Sequence, residues 1–219
     1  MTGLPVRHVT TDVLEVAYHE AGPSDGPPVL LLHGFPYDIH SCVEVAPLLA
    51  AAGHRVIVPY LRGHGPTRFL SAETPRSGQQ AALGADARGI AEVIWRRNSP
   101  KWTFGAGELD RAAEAFANPD YVDVVIHSYR HRLGRAAGAP AYERAEGALS
   151  RLPAITVPAV TLDGTADGNF PATDGSPTAA RFTGPRVHRQ VPDAGHNLPQ
   201  EAPAAFTDAV REVASLIVT

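Results

Sequence analysis

The chain has 219 residues, 44% of them hydrophobic and 19% charged. This fits one globular domain with a sizeable core and excludes a disordered or fibrous chain. A net charge of −4 supplies no basic footprint for nucleic acid or an anionic membrane surface, and no apolar run approaches the roughly 20 residues of a membrane span.

At the start, Met1 to Leu14 lacks the pattern of a secretion signal, and the one cysteine, Cys42, admits no internal disulfide. Both features suit a reducing, cytoplasmic location. Val6 to Tyr18 reads as two short strands, a hairpin-like start. Residues 22–28 cluster Gly, Pro, Ser and Asp and predict a turn. Val29 to Leu32 is a continuous apolar run, the pattern of a strand buried on both faces. Ser41 to Ala52 sets Val45, Leu48, Leu49 and Ala52 at helical spacing, with Gly53 as a stop. Arg55 to Pro59 is a second buried strand that enters the turn-rich Leu61-Arg62-Gly63-His64-Gly65. Such alternation predicts a parallel sheet. From Pro75 to Leu152 the pattern is helical. Gln79 to Trp95 forms one helix or two, weakened by Gly84 and Gly89. Glu108 to Phe116, Asp120 to Leu133 and Tyr142 to Leu152 follow, with Asn118-Pro119 as a break. Strand character returns at Val157 to Leu162 and Val187 to Val191. Glu201 to Ile217 is an amphipathic helix with Pro203 near its start and Phe206, Val210, Val213 and Ile217 inward.

Three segments carry chemistry. Leu30-Leu31-Leu32-His33-Gly34-Phe35-Pro36 is an apolar strand entering a His-Gly-x-Pro turn. Leu162-Asp163-Gly164-Thr165-Ala166-Asp167-Gly168 follows another apolar strand, and Ala194-Gly195-His196-Asn197 precedes the last helix. Histidine suits a general base because its pKa lies near neutrality, and a carboxylate beside it would orient it and stabilise its charged form. The plain alternatives are a surface-loop histidine, one of ten in the chain, and aspartates that merely serve turns beside glycine. Three stand-in nucleophiles can be weighed. Asp86, in Gly84-Ala85-Asp86-Ala87-Arg88-Gly89, loosely echoes a Gly-x-Asp-x-x-Gly elbow, but helix rather than strand precedes it. Ser128 follows an apolar run, yet a nucleophile elbow needs small residues where Ile126 and Arg130 stand. Cys42 lies at a helix start, where a thiol pKa can fall, although a cysteine there more often packs as a small apolar residue. His127 and His131 have the i, i+4 spacing that can grip a metal. No Glu completes a His-Glu-x-x-His pattern and no third ligand is evident, so no metal is expected. Neither Gly-x-Gly-x-x-Gly nor a Walker loop occurs, and no cofactor is expected.

Together these segments resemble α/β-hydrolases of the epoxide hydrolase and haloalkane dehalogenase kind, over most of the chain. His33-Gly34-Phe35-Pro36 is similar to the oxyanion motif, and Val56 to Gly65 to the next strand with its Arg-Gly-x-Gly loop. Ile155 to Gly168 resembles the acid strand, and Gly195-His196 with Glu201-Ala202-Pro203 the His loop. Asn118 to Gly134 resembles the second half of a helical cap. The resemblance implies an α/β fold with a mostly parallel sheet flanked by helices and a reduced cap. Residues 1–85 would form the N-terminal part of the core, 86–152 the cap remnant, and 153–219 the C-terminal part carrying the acid and the His. It implies His196 as the base and, by motif position, Asp167 as its partner, with Asp163 the competitor. It also implies an oxyanion loop of His33, Gly34, Phe35 and Pro36, whose Phe35 N–H meets developing negative charge. Tyr129 falls where epoxide hydrolases carry a tyrosine that donates a proton to the opening epoxide; its plain alternative is a cap-helix residue that packs. The family's nucleophile elbow has no counterpart. The resemblance therefore implies that the central fifth strand, the elbow, the next helix and half of the cap are missing, with the gap between about Ala85 and Ala91. Losing a central strand exposes edges, which favours association, so a homodimer is expected.

The activity expected is hydrolysis of a small apolar epoxide or ester by water that the His196–Asp167 pair activates. It would be weak, because splitting one hard step into two requires the covalent nucleophile. The alternatives are a non-hydrolytic binding or cyclase-like scaffold, in which proximity promotes ring closure, and an inactive truncated hydrolase.

Overall fold

The structure is a computed structural model that describes residues 5–74 and 86–217. The helix expected from Gln79 therefore lies partly outside the described residues. By contacts the chain forms two units, Met1–Arg96 with Thr103–Ala137, and Arg97–Trp102 with Gly138–Thr219.

The first unit is built on a mixed sheet. Strand β1 (Arg7–Thr10) pairs antiparallel with β2 (Leu14–Ala21). Thr11 closes the turn between them: its hydroxyl accepts from Leu14 N at 3.0 Å and donates to Leu14 O at 3.1 Å. β2 pairs antiparallel with β4 (Arg55–Pro59), which pairs parallel with β3 (Pro28–Leu30). The short β5 (Arg68–Phe69) joins the other end of β2. Helix α1 (Val45–Ala51) buries Val45, Ala46 and Leu49, and Gly53, at φ +88°, ends it.

Two expectations need correcting here. The sheet is mixed rather than mostly parallel, because the N-terminal hairpin brings β1 and β2 antiparallel onto β4. The Val29–Leu32 run is also not buried on both faces. Leu31 is 5% exposed, whereas Leu30 and Leu32 are 59% and 60% exposed. Among the described residues β3 has a strand neighbour on one side only, β4, and alternate side chains of a strand face opposite ways, so one face of the run is covered and the other is not.

Helix α2 (Ala87–Asn98) begins at Asp86, whose carboxylate accepts from Gly89 N at 2.7 Å as an N-cap does. Helix α3 (Ala106–Phe116) buries Leu109, Ala112, Ala115 and Phe116 along one stripe. The expected break at Asn118-Pro119 precedes α4 (Tyr121–Arg132). Buried Asn118 ties this break to the loop after β4: its amide donates to Gly65 O and Thr67 O, both at 2.8 Å, and its Oδ1 accepts from Asp120 N at 2.8 Å. Within the same loop Gly63 (φ +76°) has no room for a side chain, since a Cβ would lie 2.8 Å from Val124 of α4.

The second unit carries a parallel pair, β6 (Ala159–Gly164) and β7 (Arg186–Val191), in register from Ala159↔Arg186 to Gly164↔Val191. It also holds α5 (Glu143–Leu149), α6 (Ser176–Ala179), α7 (Leu198–Glu201) and α8 (Pro203–Ile217). Thr207 and Ala209 are the buried residues of α8, whereas Ile217, expected inward, is 67% exposed. Among the described residues no strand lies between Phe69 and Ala159, and no helix is long and apolar enough to cross a membrane.

The exposure pattern of the β3 run separates neighbouring leucines. Leu31→Ala should cost about 2–5 kcal/mol, while Leu32→Ser should change stability by no more than about 0.5 kcal/mol. Urea unfolding of the two variants checks this, and comparable losses would contradict it.

Candidate functional site

In the second unit the parallel register brings two loops together. Beyond the paired ends of β6 and β7, Thr165 N donates to Val191 O at 3.0 Å, Ala166 N to Ala194 O at 2.9 Å, and Asp193 N to the Thr165 hydroxyl at 2.9 Å. The zipped loops set Asp167 beside His196, with Nδ1 2.8 Å from Oδ2. Asp167 Oδ1 accepts from Asn169 N at 2.7 Å and Phe170 N at 3.0 Å, so the carboxylate is fixed by its own turn. The Phe170 ring stacks on the imidazole at 5.8 Å. Since the carboxylate can only accept, Nδ1 donates, and Nε2 carries the basic lone pair of the neutral ring. Asp163 serves elsewhere: its Oδ2 accepts from the N–H and hydroxyl of Thr173, each at 2.9 Å.

Sequence reasoning missed the support beneath His196. The Glu201 carboxylate accepts from Gly195 N at 2.7 Å, Asn197 N at 2.9 Å and the Ser99 hydroxyl at 2.6 Å. The Ser99 oxygen in turn accepts from His196 N at 3.1 Å. Three consecutive backbone N–H groups are thereby satisfied by two side chains. Gly195 must be glycine, because a Cβ there would sit 2.7 Å from Ser99 Cα and 2.8 Å from Glu201 Oε2. Glu201 stood in the motif that resembled the His loop, so its presence was visible and its function was not. Ser99 lies 97 residues from His196 and gave no signal.

In the first unit the His33–Pro36 turn leaves the open end of β3 through a cis Phe35–Pro36 bond. Buried Trp95 holds it: the indole N–H donates to Pro36 O at 2.9 Å, and Tyr37 stacks on the ring at 5.2 Å. His33 Nε2 accepts from Leu61 N at 3.2 Å, which joins this turn to the loop after β4. Burial, aided by the neighbouring His64, pushes the His33 pKa down to about 3. Burial also lowers His64, which packs edge-on against His33 at 4.7 Å. Among the described residues the Phe35 N–H has no protein partner, as an oxyanion donor requires. Gly34 needs no glycine for packing, since a Cβ there would meet nothing within 4 Å; the space is open instead. Tyr129 of α4 meets the Phe35 ring edge-on at 5.7 Å. Gly34, Phe35 and Tyr129 line one cavity of about 460 Å³.

The stand-in nucleophiles hold structural positions. Asp86 caps α2. Ser128 lies inside α4 and donates to Val124 O at 2.8 Å, not on a strand-to-helix turn. Cys42 ends a buried 3-10 turn, and burial pushes its thiol up to about 12, away from a thiolate. The His127 and His131 rings stack at 6.0 Å, and among the described residues no three His, Cys, Asp or Glu are placed to hold a metal.

The model of the alpha/beta hydrolase fold family matches residues 27–129. A haloalkane dehalogenase of Psychrobacter cryohalolentis is 52% identical over 67 residues, 31% of this chain and 22% of that protein. Epoxide hydrolase 3 of Siraitia grosvenorii is 40% identical over 69 residues, 32% of this chain and 22% of that protein. The chain thus spans about a fifth of the length of these relatives. A crystal structure of a candidate epoxide hydrolase from Klebsiella pneumoniae subsp. pneumoniae superposes with a TM-score of 0.91 at 33% identity, covering 96% of this chain and 97% of that one. The haloalkane dehalogenase variant DbeA-M1 from Bradyrhizobium elkanii, at 16% identity and a TM-score of 0.68, covers 98% of both chains and shares the fold. The chain belongs to the α/β-hydrolase fold family. Within that family it is related to epoxide hydrolases and haloalkane dehalogenases.

Keeping His33 neutral has a consequence for stability. The unfolded chain takes up a proton near the ordinary value of 6.5, whereas the folded chain refuses it until about pH 3. Stability from this group is complete above about pH 6.5 and drains away as pH falls toward 3. Denaturant unfolding at stepped pH should show His33→Gln losing less stability on acidification than the parent protein. Equal losses would contradict the assignment.

Proposed function

We propose that the protein is a weak hydrolase of a small, largely apolar epoxide or ester. The observation that carries this reading is the 2.8 Å bond between His196 Nδ1 and Asp167 Oδ2, which leaves Nε2 as the base. For an epoxide, water loses a proton to Nε2 while its oxygen bonds to a ring carbon. The carbon–oxygen bond breaks, the opening oxygen takes the imidazolium proton, and a diol leaves with all charges restored. Asp167 stabilises the imidazolium meanwhile. By motif, Tyr129 and the Phe35 N–H are proposed as the epoxide-oxygen and oxyanion donors. No residue takes the part of a covalent nucleophile in this reading, hence the low rate. The rest of the proposal is lineage and assembly: residues 86–152 as the cap remnant, a lost central strand beside the open edge of β3, and a cytoplasmic homodimer.

The unpaired Phe35 N–H and the ready-made cavity favour a second reading, a binding or cyclase-like scaffold. Turnover of styrene oxide and p-nitrophenyl acetate separates the two. His196→Ala and Asp167→Asn should each lower kcat by about 100-fold or more. Ligand binding with turnover that ignores both substitutions would leave the scaffold and sink the hydrolase.

A further inference from the structure

The turn that orients His196 also carries an aromatic ring that the fold does not use. Asp167 N donates to Gly164 O at 3.2 Å and Gly168 N to Asn98 O at 2.9 Å, while Asn169 N and Phe170 N both donate to Asp167 Oδ1. Gly168 admits no side chain, since a Cβ there would lie 2.1 Å from Arg97 O. Further along, Thr173 is tied to Asp163 by its N–H and its hydroxyl. Phe170 therefore sits between two pinned points of the second unit. Its own part in the turn is played by its backbone N–H, which a polar residue would supply equally well. Its side chain is nonetheless 66% exposed, and apolar surface left in water forfeits the stability that burial gives. The ring lies beside the base: its centroid is 5.8 Å from that of the His196 imidazole, with the planes 29° apart. Orienting the imidazole does not require it, because Asp167 Oδ2 already holds Nδ1 at 2.8 Å. A fixed, exposed aromatic ring next to the base serves a bound molecule better than it serves the fold. Aromatic rings attract at centroid separations of about 4.5–7 Å, so an aryl group borne on a carbon placed at Nε2 comes within reach of Phe170.

We propose that Phe170 is a specificity-determining residue that selects substrates bearing an aromatic ring beside the reacting carbon, by stacking on that ring. This deepens the hydrolase reading and rests on it only in making the aromatic molecule a substrate, an aryl epoxide or aryl-bearing ester; recognition of the ring stands without turnover.

The test compares benzamide with cyclohexanecarboxamide, which differ in the aromaticity of the ring, by NMR titration of the whole chain with the His196 ring signals as reporters. Neither is an ester or epoxide, so binding is read apart from turnover. Benzamide should bind about three- to tenfold tighter, the factor that an aromatic pair adds beyond area burial, and should shift the His196 signals. Phe170→Leu keeps the apolar bulk and removes the π face, so the preference should vanish; Phe170→Trp should restore it. The substituted side chain is exposed, and circular dichroism confirms that both variants fold. With styrene oxide and cyclohexyloxirane as substrates, the ratio of their kcat/KM values should fall by a similar factor in Phe170→Leu, mainly through the KM of styrene oxide. Equal affinities in the parent protein, a preference that survives Phe170→Leu, binding that leaves the His196 signals in place, or binding of neither ligand would overturn the proposal. A binding preference that depends on Phe170 in a protein that turns over neither epoxide sinks the hydrolase reading alone.

Discussion

The Glu201 carboxylate is the fixed point of the His loop. A loop leaving a sheet carries backbone groups that no ladder satisfies, and burying them unpaired is costly. Here one carboxylate and one hydroxyl take three successive N–H groups, at Gly195, His196 and Asn197. The backbone under the imidazole is therefore held before Asp167 touches the ring. The same solution recurs in the first unit. Asn118 binds both carbonyls of the loop after β4 and the N–H that opens α4, and Trp95 binds the carbonyl of Pro36. Each loop with chemical potential is anchored by a buried side chain from a distant part of the sequence, so its geometry comes from tertiary packing rather than local propensity.

The β3 run shows the other side of that constraint. Three leucines in a row predict burial on both faces, yet only Leu31 achieves it. The sequence retains the signature of a strand in the middle of a sheet, while the strand itself stands at the end of the order β1-β2-β4-β3. An apolar edge of this kind invites association, and it is also where the chain turns into His33 and Gly34. The loop thus rises from an edge strand of its sheet, and its order depends on Trp95 and on the Leu61 N–H bound to His33.

Much of the fold was legible because periodicity is a local signal. The hairpin, α1, α3, α4 and the β6 and β7 strands all lie close to where alternation or helical spacing put them, and the Asn118-Pro119 break is where proline chemistry demands it. The His196–Asp167 pair was legible through motif order, although spacing alone left Asp163 in competition. The hydrogen bonds of Thr173 to Asp163 settle where that carboxylate is engaged, and no sequence pattern announces them. Ser99 and Trp95 were illegible because each acts on a loop far away in sequence, and a single chain records no pairings at such range; Glu201 is only four and six residues from the N–H groups it takes, but the turn that brings it back to them has no pattern of its own. Burial of the leucine run was misread because hydrophobicity states what a strand can bury, whereas neighbours decide what it does bury.

The two halves of the chemistry differ in how they are maintained. The acid–base pair follows from the register of β6 on β7, extended by the zipped loops and fixed by Glu201 and Ser99, all within the second unit. Structural stability alone would preserve it, because the bonds to Glu201 and Ser99 satisfy half-buried groups. Loss of a strand elsewhere in the lineage would leave it untouched. The cavity of the first unit has no such insurance. Gly34 faces open space that a side chain would fill at no packing cost, and among the described residues the Phe35 N–H has no partner. Each of these features costs stability or leaves it unimproved. Their joint presence is what ligand binding explains and folding does not, and it makes this cavity, more than the better-built acid–base pair, the part of the molecule most informative about what the protein does.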